Sequence, residues 1–117
     1  MDSRLVISVL FCGQPALGTL LSRETVVAIS QRLSCVITLT NLSREQARDY
    51  LHHRLHAAGA RTEVFTEQAV GTLFEMTRGN MRATDTLALK ALQVAAKKGV
   101  NRVETTHIID ARTQVLP

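Results

Sequence analysis

Tryptophan is absent from these 117 residues, and aromatics make up 3% of them. That excludes a core organised around large rings. Packing falls instead to Leu, Val, Ile and Ala, as in small helical domains. Cysteine is equally scarce: Cys12 and Cys35 are too few and too far apart for a disulfide framework or a zinc site. Reduced thiols in the cytosol are the default expectation. Residues 5–11, behind Arg4, have the look of a short leader ending at a lipidated Cys12, but bulky Leu10 and Phe11 do not suit a processing site. The run is also too short to span a bilayer. No GxxxxGK[ST] loop, no apolar strand ending in paired acids and no Gly-x-Ser-x-Gly elbow occurs. The chain alone therefore lacks a phosphate cradle, magnesium-binding acids and a serine-hydrolase nucleophile. Internal repeats, low-complexity linkers and a basic tail are missing too.

Apolar residues are 45% of the chain, enough for one packed domain. The net charge of +4 favours polyanions such as nucleic acid. The excess is spread along the chain, however, as on an ordinary solvated surface.

Residues 5–11 are nearly all apolar and rich in β-branched side chains, without alternation. That pattern predicts a strand covered on both faces, as in a parallel sheet. Gly13 and Pro15 end it, and Pro15 suits a first helical turn. Ala16, Leu17, Leu20 and Leu21 give a short helix, and Val26, Val27, Ile29 and Leu33 extend the apolar surface. Residues 35–40 read as a second strand.

Beyond residue 40 the period becomes helical. Ser43 and Gln46 form a capping box, with Ala47, Tyr50, Leu51, Leu55 and Ala58 as the inward stripe and Gly59 as the stop. Thr66 caps a second helix whose inward side carries Val70, Leu73, Phe74 and Thr77. Gly79 supplies a left-handed turn. A third helix, from about Asn80 to Lys98, turns Thr84, Leu87, Ala88, Ala91, Val94 and Ala95 inward. Thr105 or Thr106 caps a fourth, carrying Ile108, Ile109 and Val115. The expected fold is thus an α/β strand–helix–strand unit over residues 1–40 and a four-helix module over residues 41–117.

Three side chains suggest phosphate chemistry. Arg82 follows a glycine turn in the first turn of a helix, where a guanidinium can hold a phosphate; a plain surface arginine is the alternative. Gln14 follows an apolar strand, where an amide can bond a phosphate oxygen or orient a water, or simply make a turn. Arg32 is placed either to face solvent or to reach a neighbouring subunit's terminal phosphate as an arginine finger. His52 and His56 have the i, i+4 spacing of a metal pair, but no third ligand is placed nearby, and no metal is expected. With Arg44 and Arg48 they form a basic ridge. Arg44, Arg48, Arg54, Lys97 and Lys98 are the candidate nucleic-acid contacts.

The succession Phe11-Cys12-Gly13-Gln14-Pro15-Ala16-Leu17, Gln31-Arg32-Leu33, Leu42-Ser43-Arg44-Glu45 and Gly79-Asn80-Met81-Arg82, closed by residues 103–111, resembles the C-terminal part of an AAA+ ATPase. The type is ExeA-like, which takes in general-secretion-pathway ATPases and transposition helper ATPases. The resemblance implies sensor 1 at Gln14, the arginine finger at Arg32, sensor 2 at Arg82 with Asn80 beside it, and a lid made by the helices from Ser43 onward. It implies a fragment, a truncated gene or an engineered piece of a longer protein, silent as an enzyme by itself. ATP and Mg2+ would serve the intact parent, and no cofactor is expected for this chain alone. The partners it implies are the missing ATPase region or neighbouring AAA+ subunits in a homo-oligomer, and either DNA with a transposase or a secretion-apparatus protein. Without the central strand of such a sheet, residues 1–40 are expected to pair between chains, rearrange or order poorly. A stand-alone basic helical module that binds DNA or protein is the other reading.

Overall fold

The computed structural model describes Arg4 and residues 6–115. The chain divides between Thr38 and Leu39 into two units. In the first, α1 (Ala16–Leu21) follows Pro15, whose φ of −52° is already helical. A 3₁₀ turn (Glu24–Val26) leads into the single turn of α2 (Val27–Ser30). None of the described residues of this unit is buried.

The strand–helix–strand unit is not formed. No strand occurs among the described residues, so the α/β reading is corrected to an all-helical chain. Leu5 lies outside the described residues. Val6, Leu10, Ile37 and Leu39 stand 78–90% exposed. An apolar, β-branched run meets the composition of a buried strand, but a strand also needs a neighbour to exchange N–H···O=C bonds and a layer to cover its faces. Residues 6–11 and 35–40 have neither here.

The second unit contains α3 (Arg44–Ala57), α4 (Glu67–Thr77), α5 (Met81–Lys97) and α6 (Thr105–Arg112). Its helix starts are set by short polar side chains. Ser43 Oγ accepts the Gln46 amide at 3.2 Å, and Gln46 Oε1 accepts the Ser43 amide at 3.0 Å, closing the capping box. Thr66 caps α4 through the Ala69 amide at 3.1 Å. At α6 the cap falls one residue before the expected threonines: Glu104 takes it, donating its amide to Nδ1 of buried His107 at 3.0 Å.

The buried face of α5 comprises Thr84, Leu87, Ala88, Ala91, Val94 and Ala95, the inward set its sequence period predicts. Its apolar members meet Leu51 of α3, Ala69, Val70 and Leu73 of α4, and Ile108 and Ala111 of α6. Two loop residues complete the core. Phe65 and Val103 form one parallel bridge, in which the Val103 amide donates to the Val64 carbonyl at 2.7 Å and the Thr66 amide to the Val103 carbonyl at 3.0 Å. This bridge ties the lead into α4 to the lead into α6. Both residues are 1% exposed, so it is also an apolar plug. Ile109 is 48% exposed, and Val115, beyond the end of α6, packs against the core.

Candidate functional site

The turn between α4 and α5 is the most constrained local structure of the helical unit. Arg78 closes α4 in a left-handed conformation (φ 53°, ψ 30°), rare for a residue with a Cβ. Gly79 follows at φ 77°. Asn80 then caps α5, its Oδ1 accepting the Ala83 amide at 2.9 Å. Beneath the turn, Thr84 Oγ1 lies 2.7 Å from the Asn80 carbonyl oxygen and 3.2 Å from Thr77 Oγ1. Asn80 thus has a structural task that its position alone explains.

Arg82 is the second residue of α5 and is exposed. It forms no ion pair among the described residues. The first turn of α5 contains no acid. A helix start carries partial positive charge, and its first amides point outward without intrahelical acceptors. A cation there works against the helix dipole, so folding does not explain Arg82. An anion near this turn would be attracted by both the guanidinium and the helix end.

The acid nearest in sequence on α5 is held elsewhere. Asp85 accepts the Tyr50 hydroxyl of α3, which lies 2.9 and 3.0 Å from its two carboxylate oxygens, and Arg54 lies 4.0 Å away. The hydrogen bond to Asp85 raises the Tyr50 phenol above its usual range, with desolvation and the Asp85 charge adding to it. Asp85 is thereby engaged with α3 rather than neutralising Arg82. The link was hidden in the sequence because its two partners are 35 residues apart.

Most of the candidate nucleic-acid contacts are paired as well. Arg44 lies 3.4 Å from Glu75 and 5.1 Å from the centre of the Phe74 ring. Arg48 lies 3.7 Å from Glu67. Lys98 lies 2.8 Å from Asp110, and this hydrogen bond, with the Lys98 charge, holds the Asp110 carboxyl below its usual range. Lys97, in the last turn of α5, has no ion pair among the described residues. His52 and His56 line one open groove of about 290 Å³ with Arg61 and Glu63. Among the described residues no three His, Cys, Asp or Glu side chains gather to hold a metal ion.

Gln14 and Arg32 belong to the first unit. Gln14 is exposed, and its carbonyl accepts the Leu17 amide at 2.8 Å at the start of α1. Arg32 is exposed just past α2, its amide donating to the Ile29 carbonyl at 3.0 Å. Among the described residues no helix is long and apolar enough to cross a membrane.

What the fold and the turn define together is a small helical unit that presents an uncompensated arginine at a helix start. The chain is similar to General secretion pathway protein A of Aeromonas hydrophila, with 28% identity over 102 residues, a stretch covering 87% of this chain. It spans only 19% of that protein's length. No family model and no solved structure matches the chain.

Proposed function

We propose that the helical unit is the nucleotide-responsive lid of an AAA+ ATPase of the general-secretion type, with Arg82 as its phosphate-reading side chain. The observation that carries this reading is the placement of Arg82: exposed, without an acid in its turn, and at a helix end where its charge costs stability. The similarity to a secretion-pathway protein supports the ATPase type. The lid's task is to close an arginine over ATP phosphates held by another part of the parent protein or by a neighbouring subunit. Asn80 serves this task by starting α5, and so aiming Arg82.

ATP fits this site through its phosphates, which match a guanidinium with no carboxylate of its own. Mg2+ has no carboxylate cluster among the described residues, and no step here runs through it. On resemblance, Gln14 acts as sensor 1 and Arg32 as the finger directed at a neighbouring copy. The finger role requires a homo-oligomeric parent, which we place in the cytosol with a secretion-apparatus partner. The transposition branch, with DNA held by Arg44, Arg48, Arg54, Lys97 and Lys98, is less favoured, because all of these but Lys97 already have a carboxylate within 4.0 Å.

The test is the ATPase rate of the longer parent. Arg82→Ala should lower it about tenfold or more, the loss expected for one charge-assisted hydrogen bond to phosphate. An unaltered rate would remove the sensor assignment.

A further inference from the structure

The chain enters the helical unit through residues 39–42, and the last link before the α3 cap is fastened to the α4–α5 turn. The Leu42 amide donates to the Gly79 carbonyl oxygen at 2.9 Å. Gly79 is buried at φ 77°, and a Cβ at this position would overlap the Leu42 carbonyl oxygen. The glycine is therefore required twice, by the left-handed backbone and by the closeness of Leu42. Asn80 and the first turn of α5 follow at once, and Arg82 lies in that turn. A single peptide group thus joins the lead-in segment to the base of the arginine-bearing helix.

We propose that Gly79 is a positioning residue for Arg82. Through the Leu42–Gly79 clamp, a displacement of residues 39–42 moves the start of α5 and the guanidinium with it. The inference rests on the reading of Arg82 as the phosphate-sensing side chain. A role confined to stability would need only a joined turn; the clamp in addition binds the turn to the stretch by which the chain enters the helical unit.

The test uses the longer parent protein, labelled with ¹⁵N and titrated with ATP at millimolar concentration. Leu42→Pro removes the donor and leaves the turn's own residues intact. Gly79→Ala places a Cβ against Leu42. In the native chain the Leu42 amide should exchange with solvent far more slowly than that of Asn41. In Gly79→Ala its exchange should become as fast. In Leu42→Pro the amides of residues 80–83 should shift while those of α6 stay in place. The ATP-induced shift of the Arg82 side chain should then need roughly fivefold more ATP, the factor that one ordinary hydrogen bond is worth. Unslowed exchange at Leu42 in the native chain overturns the clamp, whatever ATP does. An unchanged ATP response in Leu42→Pro overturns the positioning role. No ATP response at Arg82 in the native chain, with Leu42 protected, sinks the phosphate reading and the sensor purpose of the clamp with it.

Discussion

Residues 6–11 and the inward stripe of α5 are both rich in apolar side chains, and they meet opposite fates. Val6 is 87% exposed and Leu10 89%, whereas Leu87 and Ala88 of α5 are each 6% exposed and Ala91 is fully buried. Hydrophobicity does not separate them. The α5 stripe recurs with the helical period, satisfies its own backbone hydrogen bonds and needs only neighbouring helices to cover it. An extended run satisfies its backbone only through another strand. The helical unit can therefore complete itself from local elements joined by short turns, and the first unit buries none of its described residues.

Substitutions can break or sharpen this contrast. The largest effect is expected at Phe65, the plug between two loops: Phe65→Ala should cost about 3–5 kcal/mol, read as a lowered midpoint in far-UV circular dichroism melts. Thr66→Ala, beside it, removes only the α4 cap and should cost about 1 kcal/mol in the same melt.

Tyr50→Phe should cost less than about 1 kcal/mol near neutral pH. The folded-state pKa of Tyr50 is raised above the usual 10.0. Its stabilisation is therefore complete below that value and disappears as the pH climbs through the raised one. Alkaline melts should bring the native chain and Tyr50→Phe together.

Asp110 works in the opposite sense. Its folded-state pKa is lowered from 3.8, so the Lys98 pair contributes above that value and is lost as the pH falls through the depressed one. Asp110→Asn should flatten this part of the acid dependence, with little effect near neutrality. The smallest effect is expected in the first unit. Val9→Ser together with Leu10→Ser should leave the melting midpoint within about 0.5 kcal/mol of the native chain. A large destabilisation there would show that these residues carry packing the contrast denies them.

Much of the helical unit was legible in the sequence because its signals are local. The Ser43–Gln46 box, the Thr66 cap, the left-handed Gly79 and the six inward residues of α5 all follow from residues within a few turns of one another. The strand reading failed because composition over residues 5–11 cannot report whether a neighbouring strand exists. Glu104 displaced the threonines as cap because His107, three residues on, supplies the reciprocal acceptor. Arg82 could be singled out from its place after a glycine. What leaves it uncompensated, the capture of Asp85 by Tyr50 and Arg54, joins residues distant along the chain. The Leu42–Gly79 clamp was hidden for the same reason. Gly79 announced a turn, but not what lies against it.

The central claim is that Arg82 reads phosphate. It is tested most directly by following the Arg82 side-chain Nε–H resonance in the longer parent protein as ATP is added, with adenosine as the phosphate-free control. The account predicts a saturable shift with ATP that adenosine does not produce and that added salt weakens. An Arg82 resonance indifferent to ATP, or one that responds equally to adenosine, would contradict it.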